Sequence, residues 1–344
     1  MKVFRGYRDS RLAVQCALTI GNFDGVHRGH QAMLALLKNE AQHRGVPSCV
    51  MSFEPHPRDY FAALAHKPLL APARIATLRD KLTELARCGV DQCVVLPFNA
   101  RLAAQPPGDF IDEVLVRGLG VRYVLVGDDF RFGAGRAGDY AMLDAAGEAG
   151  GAGGFDVARM NSYEVHGMRV SSSAVRDALH RGNMTAVAAL LGRPYSISGH
   201  VVHGRKLGRE LGFRTLNLRF SHWHPAASGI FAVKVYGLSD HALPGVANLG
   251  IRPSVNSADV NGGRVLLETY CLEWPASLGA EGAYGKIIRV ELLHKLHDEL
   301  KYDGLESLKT GIAKDCEEAR AFFAQAQAVS MQCETARQST AGRI

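Results

Sequence analysis

The sequence contains no Cys-x-x-Cys pair, and its seven cysteines form an odd set scattered from Cys16 to Cys333. This excludes a fully paired disulfide framework, and thiols set inside apolar runs fit a reducing cytoplasm. No apolar run reaches membrane-spanning length and no apolar signal segment lies near the first residues, so neither membrane insertion nor secretion is expected. Basic charge is not gathered in one place. Lys and Arg outnumber Asp and Glu by 22 to 19 over residues 1–184 and by 18 to 15 beyond. A nucleic-acid binder usually concentrates its charge in a stripe interleaved with aromatics, so no nucleic-acid partner is expected. The mild excess of +6 suits anionic small ligands. The sequence shows no internal repeat.

At 344 residues the chain is long enough for two cores, and 47% hydrophobic content is ordinary for a globular protein. Up to about Leu179, apolar runs at 13–20, 48–53, 92–97, 123–126 and 157–160 alternate with helical stretches near 29–43, 74–88, 109–117 and 172–180. This alternation predicts an α/β domain with a doubly wound parallel sheet, whose ligands bind at the carboxyl ends of the strands. The Ala/Gly-rich segment near residues 139–155 reads as a helix end entering a loop. Pro194, in "GRPYSIS", marks the junction.

Beyond the junction, short runs at 196–202, 230–236, 246–249, 265–272 and 287–293 are separated by Gly, Pro and Asn turns. They predict a small antiparallel β-barrel, closed by an amphipathic helix over 305–323. The expected division is residues 1–186, residues 187–328 and a polar tail over 329–344 that frays.

One stretch interrupts a strand-to-helix junction with glycines and histidines: "TIGNFDGVHRGHQAML" at 19–34. Gly21, Asn22, Phe23, Gly25, His27, Gly29 and His30 fall in the turn and first helical turn. Free N–H groups, a positive dipole end and close backbone approach make such a place fit for phosphate. Two other readings are a zinc site on His27 and His30, which lacks a third ligand at matching spacing, and a plain tight turn with surface histidines. Three further motifs follow predicted strands and would share that rim: "SFEPHP" with His56, "VGDDFRFGAGRAGD" at 126–139, and "VSSSAVRDAL" at 170–179. Each could be only a capped turn. Hydroxyls followed by Arg176 one turn on can also clamp phosphate.

"GNFDGVHRGH" closely resembles the signature of prokaryotic bifunctional riboflavin kinase/FAD synthetases, whose N-terminal module is a nucleotidyltransferase. "SFEPHP", "VGDDFRFGAGRAGD" and "SSSAVR" extend the resemblance in order, and four ordered motifs are far more specific than one. "GHVVHGRKLGRELGFRTLNL", "GVANLGIRPSV" and "LLETYCLEW" resemble the flavokinase half, so the likeness covers about residues 10–325. The resemblance implies that His27, His30, Ser172, Ser173 and Arg176 handle ATP phosphates, and that His56, Asp129, Phe130 and Phe132 serve flavin. In the kinase half it implies nucleotide contacts at Gly204, Gly208 and Gly212, Mg²⁺ at Thr215 and Asn217, and Glu268 as general base. Riboflavin, FMN and ATP would be the ligands and FMN and FAD the products, with self-association left open.

The sequence departs from the family at Arg214, where a proline is usual, at Leu216 for alanine, at Ser171–Ser173 with no threonine, and at His297 for arginine. Two alternatives follow: an FAD synthetase with a weakened kinase barrel, and an RNA-binding protein with a nucleotide-binding core. The chemistry of the favoured reading needs no protein nucleophile in the first domain, because a phosphate oxygen of FMN attacks the α-phosphorus of ATP. The ribityl hydroxyl is a poorer nucleophile and gains from a carboxylate base. On the strand around Glu268, Glu273 falls on the opposite face by its odd spacing.

Overall fold

The computed structural model describes residues 1–12, 15–165, 167–203, 212–220, 224–252, 264–279 and 281–341. The chain divides into two compact units, Met1–Val175 with Leu190–Gly192, and Arg176–Ala189 with the chain from Arg193 onward. Residue 186, the boundary expected from sequence, lies within the helix Met184–Leu191.

In the first unit β1 (Lys2–Arg5), β2 (Cys16–Ile20), β3 (Ser48–Glu54), β4 (Gln92–Pro97), β5 (Val121–Gly127) and β6 (Asp156–Met160) form one sheet in the order β1-β4-β3-β2-β5-β6. Every pairing is parallel. All five residues of β2 are buried, as a strand covered on both faces requires. Alternation sends Leu18, Met51, Val94 and Val124 to one apolar layer with Phe110 and Leu143. Ala17, Val50, Cys93 and Leu125 face the other, where α1 (Arg28–His43) contributes Leu34 and Leu37 and α3 (Leu78–Arg87) contributes Leu85. In chain order α2 (Pro57–Leu64) falls between these two helices.

The strand order reverses around β2, which has β3 on one side and β5 on the other. In open α/β sheets that crevice at the carboxyl ends is where ligands bind, and here it opens at Gly21. In this unit the expected strands lie within one or two residues of those observed, except at 13–20. There pairing starts at Cys16, and residues 13 and 14 lie outside the described residues. The helix expected near 109–117 is a π-helix over Phe110–Val116. A short hairpin of β7 (Glu164–Val165) and β8 (Met168–Arg169) precedes the helix Ser172–His180.

The second unit is an antiparallel sheet of β9 (Tyr195–His200), β10 (Thr215–Arg219), β11 (Gly229–Tyr236), β12 (Leu243–Arg252), β13 (Arg264–Cys271) and β14 (Ile287–His297), ordered β10-β13-β12-β11-β14-β9. It curls until its edges meet, where Val202 N–H donates to the Asn217 carbonyl (2.9 Å). Leu218, Phe231, Val233, Leu249, Leu267 and Val290 fill the concave interior, each essentially inaccessible to water. The outer face carries Ile230, Ala232 and Val246 against Cys316 and Ala319 of the closing helix. That helix spans Leu305–Ala341 and so runs past Phe323, where the amphipathic pattern ends. Its later residues are mostly Ala, Gln, Glu and Met, which favour helix without needing an apolar face.

Candidate active sites

His27 adopts an extended conformation before α1, and its Nδ1 accepts from the His30 N–H (3.3 Å). This cap stacks the two imidazoles, with centroids 3.6 Å apart, while the Phe23 ring lies 4.9 Å from His30. The turn from β2 into α1 requires left-handed backbone at Phe23 (φ 49°), Gly25 (φ 83°) and Val26 (φ 42°). A Cβ on Gly25 would stand 2.7 Å from Ile75 Cγ2, so that position needs glycine on both counts. Non-glycine residues in this region cost on the order of 1 kcal/mol or more each, so the loop must be held from outside. Asp24 does so. Its buried carboxylate accepts from the N–H groups of Ile75 (3.2 Å) and Ala76 (3.1 Å).

A second helix start meets this loop. Ser171 Oγ accepts from the Ala174 N–H (3.1 Å), capping the helix Ser172–His180, and Ser172 Oγ donates to the Asp24 carbonyl (3.1 Å). Two helix N-termini, whose first N–H groups have no partner within their helix, therefore border one place. Ser173 in the first turn is exposed, and Arg176 follows Ser172 by one turn. Two polar atoms of the loop, Asn22 Oδ1 and His30 Nδ1, are buried without a partner among the described residues. Burial, then the neighbouring charges of His27 and Lys81, hold the His30 imidazole well below its ordinary pKa. It is a neutral hydrogen-bonding group at neutral pH. Among the described residues no three His, Cys, Asp or Glu side chains gather in a way that could hold a metal, so the zinc reading of the two histidines finds no support there.

Behind the loop, Ser52 Oγ donates to the Asn22 carbonyl (3.3 Å) and receives a bond from Lys81 Nζ (3.2 Å). Arg74 pairs with Asp59 (2.8 Å) and Glu54 (3.4 Å). His56 is buried and caps α2, its Nδ1 accepting from the Arg58 N–H (3.1 Å). The segment after β5 forms a small closed loop in which Phe132 and Gly138 exchange backbone hydrogen bonds (3.1 and 2.9 Å). Phe132 is buried against Phe110 (5.7 Å), whereas Phe130 stacks on it (5.6 Å) and is only half-buried. Asp129 is exposed. Because β5 adjoins β2, this loop starts from the same rim as Gly21.

In the second unit the constellation comes from cross-strand register. Asn217 on β10 pairs with Glu268 on β13, and Glu268 pairs with Asn248 on β12, so the three side chains share one face in a row. Thr215 and Tyr270 form the next pair on that face. Asn217 is buried and its Nδ2 donates to the Thr215 carbonyl (3.3 Å). The Oδ1 atoms of Asn217 and Asn248 are buried without a partner among the described residues. Glu268 is half-buried, and Glu273 is exposed beyond the end of β13. Gly212 has a left-handed backbone (φ 87°), while Gly204 and Gly208 lie outside the described residues. Leu216, the departure from alanine, points into the apolar interior and is buried there, and Arg214 is exposed.

Residues 9–174 match the family described as FAD synthetase, and residues 191–323 match the one described as riboflavin kinase. The protein of Escherichia coli K12 named bifunctional riboflavin kinase/FMN adenylyltransferase is 44% identical over 94% of this chain and 98% of its own length. Its namesake from Haemophilus influenzae is 40% identical over 94% of this chain and 99% of its own length. The chain belongs to the bifunctional riboflavin kinase/FMN adenylyltransferase family. A crystal structure from Streptococcus pneumoniae described as a macrolide-efflux protein superposes with a TM-score of 0.73, covering 93% of this chain and 99% of that one at 22% identity, a likeness of fold alone. No helix among the described residues is long and apolar enough to cross a membrane.

Within this family frame, the first unit brings Asn22, Asp24, His27, His30, Ser52 and Ser172 together, and the second aligns Asn217 with Glu268. Sequence reasoning singled out neither Asp24, Lys81 nor Asn248. Asp24 sits inside the quoted signature and Asn248 inside "GVANLGIRPSV", but what distinguishes them is a partner more than fifty residues away or a register that no local pattern contains.

Proposed function

We infer that this chain catalyses both reactions of its family, phosphorylating riboflavin to FMN with ATP and transferring AMP from a second ATP to FMN, giving FAD and pyrophosphate. The observation that carries this reading is that each family match coincides with a unit holding its own buried polar atoms that have no partner among the described residues. Because both halves match, the alternative of an FAD synthetase alone is not favoured.

In adenylyl transfer an FMN phosphate oxygen forms a bond to the α-phosphorus of ATP while the bond to the departing pyrophosphate breaks. The protein contributes position and charge stabilisation. The paired helix N-termini and neutral His30 offer donors to the phosphates, with His27 fixing the loop's geometry. Ser173 and Arg176, on the helix that Ser172 opens, are proposed to bind ATP phosphates, the guanidinium as a bidentate fork. His56, Asp129, Phe130 and Phe132 are proposed to serve the flavin, with half-buried Phe130 the ring best placed to meet it.

In the kinase reaction Glu268 accepts the proton of the attacking ribityl hydroxyl. Asn217 Oδ1, a buried oxygen without a partner among the described residues, and the neighbouring Thr215 suit a small hard cation such as Mg²⁺, which keeps waters and substrate phosphates as its other ligands. When bound, that cation neutralises charge on the ATP phosphates. A cytoplasmic setting, where ATP is abundant and thiols stay reduced, fits these chemistries and the free cysteines.

Chromatography of products after incubation with riboflavin, ATP and Mg²⁺ tests the reading. FMN followed by FAD is expected. FAD formed only from supplied FMN would return the single-activity alternative, and neither product would overturn both.

A further inference from the structure

Lys81 is a charged side chain buried to 1% exposure, and the chemistry described above does not use it. Burying an ammonium is costly unless its surroundings compensate, so its place in the fold calls for a physical reason. It projects from α3 toward the carboxyl end of β3, where Nζ donates to Ser52 Oγ (3.2 Å). Ser52 in turn donates to the Asn22 carbonyl (3.3 Å), next to Asn22 Oδ1, which is buried without a partner among the described residues. The chain just before α3 also holds Asp24 through the N–H groups of Ile75 and Ala76. One segment therefore grips the Gly21–His30 loop at two points, by neutral N–H donors at Asp24 and by a cation relayed through a hydroxyl at Asn22. Nearby Arg74 already pairs with Glu54 and Asp59.

We propose that Lys81 is a positioning residue for adenylyl transfer, which fixes the Asn22 end of the phosphate loop through Ser52 and places beneath that loop a positive charge that water cannot screen. The inference rests on the reading of the Gly21–His30 loop as the ATP phosphate site. A triphosphate entering there is highly anionic, and a buried cation acts on it far more strongly than an exposed one. The same charge faces His30, together with His27 from the loop, and each disfavours protonation of the imidazole. Lys81 itself is faced by Arg74, Glu54, Asp24 and Cys93, and burial followed by the Arg74 charge lowers its pKa.

The test compares Lys81→Met, Lys81→Arg and Ser52→Ala by steady-state FAD formation from supplied FMN, with riboflavin phosphorylation and thermal unfolding followed on the same preparations. Lys81→Met is expected to raise the KM for ATP by about tenfold to a hundredfold, with a smaller loss in kcat. It should also move the acidic limb of the adenylyl-transfer pH profile upward, because His30 no longer faces that cation. Lys81→Arg should restore the limb and only part of the affinity. Ser52→Ala should raise the KM for ATP without moving the limb, since the charge remains. A folded Lys81→Met with normal KM and an unmoved limb overturns the proposal and leaves Lys81 a structural counter-charge. If Lys81→Met does not fold, a normal KM for ATP in Ser52→Ala overturns it instead. Failure of the underlying reading shows separately, as FAD synthesis that survives replacement of His27 and His30.

Discussion

The two units place their polar groups in opposite ways. In the first, they come from loops beyond the ends of parallel strands, and most belong to one ten-residue stretch from Gly21 to His30. In the second, they project from the middles of antiparallel strands, one or two from each, and only the pairing of β10, β13 and β12 makes neighbours of Asn217, Glu268 and Asn248. A loop site is written contiguously but depends on remote tethers to hold its strained backbone. A register site is written in fragments yet becomes rigid once the ladder forms, and a slip of one residue would turn the whole set into the barrel interior.

This contrast is open to challenge by substitution. The largest effect is expected from replacing His27 and His30 together with Ala, which should lower FAD formation from FMN by about 10³-fold or more, the scale of losing positioned donors at a transferring group. FMN formation from riboflavin should persist. Parallel loss of both activities in a folded protein would dissolve the division of labour. Glu268→Gln should act in the opposite sense, lowering the kinase rate by about 10²-fold while FAD synthesis from supplied FMN stays unchanged. If Glu273→Gln proves the crippled variant instead, the base stands beyond the end of β13 and the register argument fails.

A smaller effect, roughly tenfold in ATP use for adenylyl transfer, is expected for Arg176→Ala, with partial rescue by Lys because a point charge cannot reproduce a planar fork. Full activity would reduce the Ser172–Arg176 stretch to a capped helix. The smallest concerns His297 at the end of β14, whose Nε2 lies 2.8 Å from Asp315 Oδ1 on the closing helix and whose Nδ1 meets the Asp298 carbonyl (2.7 Å). Partial burial lowers its pKa, but the bonds to Asp315 and Asp298 and the charges of Asp315 and Glu318 outweigh that and leave it raised. The protonated pair therefore adds stability in full below the unfolded histidine's pKa of about 6.5, and that contribution disappears as pH rises through the folded value. The thermal stability of the native chain should exceed that of Asp315→Asn by about 1 kcal/mol at pH 5.5, and the gap should close toward pH 8. A gap independent of pH would mean that the histidine's charge plays no part.

The contrast also explains what could be read from sequence. Buried parallel strands such as Gln92–Pro97 are short apolar runs with sharp ends, and the expected and observed bounds coincide there. The edge strand Lys2–Arg5 buries only Phe4, and β10, "TLNLR", interleaves polar with apolar residues, so neither stands out as an apolar run. In the loop site, His27 and His30 were visible because cap, glycines and histidines are adjacent. Ser52, Asp24 and Lys81 matter through bonds that cross 29 to 52 positions of sequence. Asn248 is one asparagine among several until β13 is laid beside it.

The bond from Ser172 to the Asp24 carbonyl spans 148 positions, and Gln31 donates to the Leu191 carbonyl across 160 (2.7 Å). On the ribosome the signature loop emerges early, but the hydroxyl that closes it is added about ten seconds or more later at ordinary elongation rates. Until then the nascent chain can pair its sheet while its Gly21–His30 loop stays untethered at Asp24. Closing that loop is a late, non-local event in the birth of the molecule, so a slow tRNA or a stalled ribosome between Met160 and Ser172 would prolong the stage at which the strands of the first sheet are all made but the signature loop still lacks its remote tether.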